Sequence, residues 1–367
     1  MQRKHTYSIL QLHPYFCTVE TAGQKRNIRS LSPRELEQFF TASGEKAYRA
    51  RQVSEWLWKK SAWSFDEMTS LSVEIRKLLD ENFTINHLTV SHQQVSSDRT
   101  IKNAFRLFDD NMIEGVLIPT EKRMTACVSS QVGCSLACKF CATGKLDRIR
   151  NLEADEIYDQ VVVISRQAAE KYGKPLTNIV YMGMGEPLLN YQNVLQSVEK
   201  ITSQKGLGMA QKRITISTAG IAKMICKLGD DKVKFNLALS LHAANDEKRS
   251  TIMPINDSNS LEALKDALKY YYDKTKNPVT YEYIIFRNFN DSLNDAAELA
   301  RFCSDVPSKV NIIEYNAIGD GIFNKADEDK TMTFRNFLES KRITAKIRRS
   351  RGKDIDAACG QLANKNK

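Results

Sequence analysis

The chain has 367 residues, of which 42% are hydrophobic and 27% charged, values that are ordinary for a globular protein. It has no apolar run long enough to span a bilayer and no apolar segment near its start that resembles a signal peptide, which excludes a membrane partner and predicts a cytoplasmic protein. The net charge of +10 favours a polyanionic partner, with RNA or DNA ahead of a membrane, and the eight cysteines favour metal binding or catalysis over a disulfide framework.

The first part of the chain predicts a short extension followed by a helical accessory domain. Residues 1–24 have no clear periodicity and receive no assignment. Residues 25–90 contain three amphipathic stretches, and the first begins at Ser32-Pro33, a typical helix start. Tryptophans at 56, 58 and 63 alternate with basic residues, which fits either RNA contact or a small apolar core.

Residues 91–124 predict a β extension that leads into the main domain. Alternating apolar stretches predict strands at 88–90, 104–108 and 112–118, with Glu114 inside the third. Asp109-Asp110-Asn111 is a turn signal between two of them.

Residues 125–350 change to a repeat of strand, loop and helix. Strands are predicted at 126–129, 179–182, 214–218, 235–240, 281–286 and 310–315, and helices at 153–171, 191–202, 219–228, 261–273, 292–302 and 334–340. This alternation predicts an α/β fold with a parallel sheet. Six units are too few for a closed eight-fold barrel, so we expect a partial barrel with six strand–helix units and an open side.

Three cysteines after the first of these strands carry the strongest chemical signal. Cys134, Cys138 and Cys141 have the spacing C-x3-C-x2-C and lie between Gly133 and Gly144. Thiolates suit zinc and iron–sulfur clusters, but a structural zinc site takes four ligands. Three thiolates on a four-iron cluster leave one iron open to a substrate. The alternative, three buried apolar cysteines, is disfavoured by such close spacing.

Polar and glycine-rich segments follow several other predicted strands. Chemistry in parallel barrels lies at the carboxyl ends of strands. The segments are Gly183-Met184-Gly185-Glu186-Pro187, Ser217 to Gly220, Ser240 to His242, and Asn316. Their positions predict one site at this end of the barrel.

The cysteine loop and the glycine-rich segment resemble the radical SAM superfamily, in which a [4Fe-4S] cluster binds S-adenosylmethionine (SAM). The match narrows to the RlmN/Cfr family of RNA adenosine methyltransferases over residues 25–362. It is carried by four segments in order along the chain, and the segment 115–120 looks more like the RlmN branch. The segments are Val128 to Cys134, Met182 to Pro187, Met253-Pro254-Ile255-Asn256 and Asp354 to Leu362.

The resemblance implies methylation of adenine C2 in 23S ribosomal RNA before subunit assembly, and in transfer RNA. One SAM methylates Cys359, and a second gives a radical that activates this methyl group for addition to the adenine. Cys127 then attacks Cys359 and forms a disulfide as the RNA is released. Glu114 matches the position credited with proton transfer. An electron donor such as flavodoxin or ferredoxin is also implied.

The resemblance also implies which side chains contact the cofactors. Cys134, Cys138 and Cys141 match the cluster ligands. The SAM contacts match Gly185, Glu186, Ser217, Ser240, His242 and Asn316.

The end of the chain, residues 351–367, predicts a flexible catalytic tail that carries Cys359. Residues 341–353 contain seven lysines and arginines and no acidic residue, which favours contact with RNA phosphates next to the reactive cysteine. On this interpretation, reversing the charges of Arg348 and Arg349 weakens RNA binding.

Three alternatives remain open at this point. The first is Cfr-like methylation at adenine C8. The second is a non-catalytic, zinc-containing RNA-binding protein that uses Cys127 as a fourth zinc ligand. The third is another radical SAM enzyme, such as an activase.

Overall fold

A computed structural model describes residues 25–364, so the predicted extension 1–24 and the last three residues lie outside the described part of the chain. The described residues divide into two compact units. One comprises residues 25–53 and 62–86, and the other residues 54–61 and 87–364.

Strands in residues 25–364 are β1 (Arg26–Asn27), β2 (Phe83–Thr84), β3 (Thr89–Val95), β4 (Ile101–Arg106), β5 (Met112–Pro119), β6 (Met124–Cys127), β7 (Gln131–Val132), β8 (Arg150–Asn151), β9 (Asn178–Tyr181), β10 (Ile214–Thr218), β11 (Asn236–Ser240), β12 (Val279–Ile285), β13 (Ser308–Glu314) and β14 (Thr344–Arg348).

Helices in the same residues are α1 (Pro33–Ala42), α2 (Arg49–Trp58), α3 (Val73–Asn82), α4 (Ala154–Tyr172), α5 (Tyr191–Thr202), α6 (Ala222–Asp230), α7 (Asp246–Ile252), α8 (Leu261–Thr275), α9 (Leu293–Cys303) and α10 (Glu328–Ser340). None of them is both long enough and apolar enough to cross a bilayer.

The smaller unit contains α1 and α3 and a pair of short parallel strands, β1 and β2. The predicted start of α1 is confirmed, because the Ser32 hydroxyl accepts a hydrogen bond from Glu35 N and the Glu35 carboxylate accepts one from Ser32 N. This reciprocal pair satisfies two amides that the first helical turn leaves without partners. Leu36 and Phe40 bury the opposite face.

The larger unit is built on one ten-stranded sheet with the order β14-β13-β12-β11-β10-β9-β6-β5-β4-β3. From β14 to β6 the strands are parallel, and β5, β4 and β3 extend the sheet in antiparallel fashion. The predicted α/β architecture and its six barrel strands are confirmed. Four elements of this unit were not predicted, namely the short helix α7, the seventh parallel strand β14 and the two-residue strands β7 and β8.

Parallel pairing brings the carboxyl ends of seven strands to the same edge of the sheet. The strands that form the middle of the sheet are buried on both faces, as the unbroken burial of β12 shows. Polar side chains are therefore concentrated in the loops that follow the strands, and these loops surround the site described next.

Candidate active site

The three cysteines lie on a loop that a small ribbon closes. Strands β7 and β8 pair antiparallel, and residues 133–149 connect them. Gly133 has φ +75°, and a β-carbon there would lie 2.0 Å from the Asp147 carbonyl oxygen. A β-carbon on Gly144 would lie 2.9 Å from the Cys138 carbonyl oxygen. Both glycines therefore let the loop fold tightly on itself.

A cavity of about 150 Å³, called here the cysteine cavity, opens at the carboxyl ends of the parallel strands. All three cysteines line it, together with residues in or just after five parallel strands, β9 to β13. Most of the predicted site residues meet on its walls: Cys134, Cys138, Cys141, Gly185, Glu186, Ser217, Ser240, His242 and Cys359.

The cysteine cavity presents three thiols, the donor type that iron–sulfur clusters take. Within residues 25–364 no three His, Cys, Asp or Glu side chains converge on one metal ion. A structural zinc site takes four protein ligands, whereas the loop brings three thiols to this cavity. Burial raises the pKa of Cys134 to about 11 and raises the pKa values of Cys138 and Cys141. Bound iron would supply the positive charge that stabilises three such thiolates.

The glycine-rich loop after β9 lies directly against the end of β6. A β-carbon on Gly183 would lie 2.7 Å from Ser129 Oγ, and one on Gly185 would lie 2.5 Å from Gln131 Cβ. Ser129 Oγ accepts a hydrogen bond from Met184 N, and Gln131 Oε1 accepts one from Glu186 N, both at 2.8 Å. The loop can approach this closely only because it has no side chains at these two positions.

Glu186 is buried on the wall of the cysteine cavity. One carboxylate oxygen accepts from Leu188 N at 3.0 Å and the other from Ala219 N at 2.7 Å. Burial raises the pKa of Glu186, and these backbone amides oppose the rise. Each carboxylate oxygen has a second lone pair, so Glu186 can also accept a hydrogen bond from a ligand amine.

His242 is a neutral side chain in a fixed orientation. Its Nδ1 accepts a hydrogen bond from Ile284 N at 3.0 Å, which leaves the proton on Nε2. Burial and the charge of Arg249 lower the pKa of His242 to about 3. The neighbouring pair, Ser217 and Ser240, brings two hydroxyl oxygens to 3.3 Å from each other on adjacent strands. These groups offer donors and acceptors without a net charge.

Arg249, on α7, is a site residue that sequence reasoning missed. Its side chain is fully buried and donates to the carbonyl oxygens of Leu241, Ser240 and Ala219 and to Asn256 Oδ1. Burial lowers the pKa of Arg249 to about 10, so the guanidinium stays charged at neutral pH. It ties together the ends of β10 and β11. No local pattern marks one arginine within a charged helix as buried.

A second cavity of about 110 Å³, called here the thiol cavity, lies beside the first. Cys127 lines it, and Cys359 lines both cavities. Burial raises the pKa of Cys127 to about 12, and the nearby Arg348 lowers it. Both thiols are free. Cys127 is absent from the cysteine cavity, so the geometry does not support its proposed role as a fourth zinc ligand.

Two further groups lie near the two thiols: Arg348, which the sequence predicted as an RNA contact, and Glu282, which sequence reasoning missed. Arg348 lines the thiol cavity, and its Nη1 lies 3.5 Å from Glu282 Oε2. Glu282 is buried on β12, and burial raises its pKa while Arg348 lowers it. The guanidinium also favours the thiolate form of Cys359. The Arg348 guanidinium therefore lies where its charge favours the thiolate forms of both Cys127 and Cys359.

Two predicted site residues contact the tail. Glu114 is buried, 3.6 Å from Lys102 Nζ, and its Oε2 accepts from Ala363 N at 2.8 Å. It lines neither cavity. Asn316 Nδ2 donates to the Cys359 carbonyl oxygen at 3.2 Å, while the buried Asn316 Oδ1 has no hydrogen-bond partner.

The fold and the cysteine cavity together define an enzyme of the radical SAM class. Comparison with protein-family models agrees, because the model described as "Radical SAM superfamily" matches residues 128–302. A second model, "Ribosomal RNA large subunit methyltransferase N-terminal domain", matches residues 26–85.

Similar proteins narrow the class. A protein of Cytophaga hutchinsonii named "Probable dual-specificity RNA methyltransferase RlmN" is 61% identical over 97% of this chain and 99% of its own length. The "Dual-specificity RNA methyltransferase RlmN" of Geobacter sulfurreducens is 43% identical over 92% of each chain. The crystal structure of a radical SAM methyltransferase from Sphaerobacter thermophilus superposes with a TM-score of 0.86 at 39% identity, covering 92% of this chain and 99% of that one. The chain belongs to the RlmN family of radical SAM RNA methyltransferases.

Proposed function

We propose that this chain methylates C2 of an adenine in 23S ribosomal RNA and in transfer RNA, with Cys359 as the carrier of the methyl group. The observation that supports this most directly is that Cys359 lines both cavities, whereas Cys127 lines only the second. One thiol can therefore face both the cofactor side and the resolving thiol. Relatives named as dual-specificity RNA methyltransferases support the two RNA classes.

The reactivity of adenine C2 determines which kind of methyl transfer is possible. This carbon is electron-poor and has no lone pair with which to attack a methyl sulfonium. When bound, a reduced [4Fe-4S] cluster and SAM supply a carbon radical that can remove a hydrogen atom from a methyl group. Cys134, Cys138 and Cys141 would hold the cluster, and the uncharged donors around His242 would orient SAM.

Cys359 and Cys127 divide the later steps between them. One SAM places a methyl group on Cys359, and loss of a hydrogen atom from that group gives a carbon that adds to the adenine. Once the adduct has returned one electron to the oxidised cluster and given its C2 proton to a base, Cys127 would lose its own proton and attack the Cys359 sulfur. The sulfur–carbon bond breaks, a Cys127–Cys359 disulfide forms and the carbon takes a proton. A dithiol reductant must then restore both thiols.

Glu114 is proposed as the group that transfers the adenine proton. In this structure its carboxylate accepts from the tail amide of Ala363 and lies near Lys102. The tail must shift before Glu114 can reach a base. Proton transfer is thereby linked to the position of the tail that carries Cys359.

The proposed chemistry also implies an electron donor, a cellular location and one more SAM contact. A low-potential electron donor such as flavodoxin or ferredoxin must reduce the cluster, and the substrates place the enzyme in the cytoplasm. Asn316 is proposed as a SAM contact, because its buried Oδ1 lacks a partner close to Cys359.

The decisive experiment uses SAM with a trideuterated methyl group, the reduced holoenzyme, and either bare 23S RNA or transfer RNA. Nucleoside mass spectrometry should find 2-methyladenosine with two deuterium atoms, because one is removed before carbon–carbon bond formation. Three deuterium atoms would refute the methylene route, and 8-methyladenosine would support the Cfr-like alternative. Iron and sulfide content, against zinc content, separates the enzyme from a zinc protein, and C359A should abolish the RNA product.

A further inference from the structure

The tail after β14 crosses between the two edges of the sheet. β14 is one edge strand and β3 is the other. Residues 349–364 leave β14, contact the turn between β3 and β4 (residues 96–100), pass the two cavities and end near β5. The segment that carries Cys359 is therefore supported on both sides of the cysteine.

The first support consists of two aspartates, one on each segment. Asp354 Oδ1 accepts from Ser96 Oγ at 2.5 Å, and its Oδ2 accepts from Ser97 N at 2.9 Å. In the opposite direction, Asp98 Oδ2 accepts from Gly352 N at 2.9 Å. The bonds from Ser96 and Ser97 lower the pKa of Asp354. Such charge-assisted bonds are stronger than neutral ones.

Backbone geometry makes this support specific. Gly352 has φ +65°, and a β-carbon there would lie 2.7 Å from Ala357 Cβ and 3.0 Å from Thr100 Cγ2. Asp98 Oδ1 also accepts from Thr100 N at 2.9 Å, so the same carboxylate shapes its own turn and holds the tail. The tail and the turn fit each other in one arrangement.

The second support lies after the cysteine. Thr143 Oγ1, next to the cysteine loop, donates to the Leu362 carbonyl oxygen at 2.6 Å. Ala363 N donates to Glu114, and Asn364 Nδ2 donates to the Met112 carbonyl oxygen at 2.7 Å. Only a short stretch that includes Cys359 lies between the two supports.

We propose that Asp98 and Asp354 are positioning residues for Cys359. They fix the first end of the tail, so that the cysteine moves between the two cavities over a short, reproducible path. A tail held at residues 352–354 samples far fewer conformations than a free one, even when its other end moves away from Glu114, which keeps the thiol near both of its reaction partners. This role rests on the proposed function only in its catalytic part, because the holding of the tail can be measured separately.

The test compares the reconstituted holoenzyme with the variants D354A, D354N, D98A and S96A. The matched control is D273A, because Asp273 is an exposed acid whose recorded ion pair is with Lys276, three residues away on the surface. Hydrogen–deuterium exchange of residues 350–358 reports tail release directly. Steady-state methylation of RNA and the fraction of Cys359 isolated with a methyl group report positioning.

We expect D354A and D98A to exchange at least about fivefold faster in residues 350–358, with other regions unchanged. Their kcat for RNA methylation should fall about tenfold while KM for RNA stays constant, with D354N and S96A intermediate. Unchanged exchange in both alanine variants overturns the proposal. Faster exchange with normal kcat and normal Cys359 methylation overturns it as well.

Failure of the proposed function would look different. In that case the wild-type enzyme would yield neither methylated Cys359 nor methylated RNA, although D354A would still release the tail. Loss of the cluster in D354A alone would show a structural effect instead and would also refute positioning. Iron content is therefore measured on every sample.

Discussion

Replacing Arg249 with methionine tests whether one buried cation holds the ends of β10 and β11 in place. The guanidinium donates to three carbonyl oxygens and to Asn256 Oδ1, and it has no solvent exposure. Methionine has a similar length but no donor. All four acceptors would then lose a buried partner.

The structure sets the size of the expected effect. A buried acceptor without a partner costs about 1–3 kcal/mol, but methionine avoids the desolvation of a charge, which offsets part of the loss. We therefore expect R249M to lower the free energy of unfolding by about 3–5 kcal/mol. R249K keeps the charge but cannot reproduce the planar fork, so it should lose about half as much.

Urea denaturation of the apoprotein, followed by tryptophan fluorescence and circular dichroism, measures this change. If the proposed SAM contacts are right, SAM affinity should fall as well, because two of them, Ser217 and Ser240, lie on β10 and β11. The control is R335M, which removes an exposed pair with Glu339 that is worth about 0.3–0.5 kcal/mol. If R249M unfolds at the same urea concentration as R335M, the buried hydrogen bonds do not have the importance assigned to them.

Three further predictions concern the tail, a buried ion pair and the cysteine loop. Burial raises the pKa of Glu314, but hydrogen bonds from Lys325, Lys353 and Ser350 outweigh this effect and bring the pKa to about 2. The ionised carboxylate therefore stabilises the fold above the unfolded pKa of 4.5, and this stabilisation disappears as the pH falls towards 2. E314Q should make the loss of stability in acid less steep, and an unchanged pH profile would contradict this. K102M leaves the Glu114 carboxylate buried without its cation and should cost about 3–5 kcal/mol in denaturant titrations, which the double variant K102M/E114Q should largely recover. G133A should lower the amount of iron bound per chain after reconstitution. The control G173A also replaces a glycine of positive φ, but its new β-carbon meets no atom within 4 Å, so it should bind iron normally. Equal iron content in the two variants would refute the steric argument.

Local periodicity predicted the barrel well because each strand–helix unit carries its own signal. The prediction for β10 matches its bounds, and α5 agrees as well, since both are bounded by clear changes in pattern. Strand β14 was missed although Thr344 to Arg348 alternate between polar and apolar residues, because its basic side chains were interpreted as part of an RNA contact. Its place in the sheet depends on pairing with β13, which no local pattern reveals.

The charged residues around the tail also have partners that a local sequence pattern does not reveal. The basic segment 341–353 was interpreted as an RNA contact because it contains no acid. In the structure, several of these cations pair with acids far away in sequence, including Arg348 with Glu282, Arg349 with Glu328 and Lys353 with Glu314. Sequence reasoning found the cysteines through their spacing, but it could not find partners that only the fold brings together.

The two supports of the tail also affect the order in which parts of the protein fold during synthesis. The hydrogen bond between Ser96 and Asp354 joins residues 258 positions apart, and the bond between Asp98 and Gly352 spans 254. Contacts of such long range close large loops and form late, and a ribosome releases the N-terminal strands first. The nascent chain can therefore pair the strands that precede β14 before Cys359 is made. The reactive thiol arrives last, after the environment that controls it is in place.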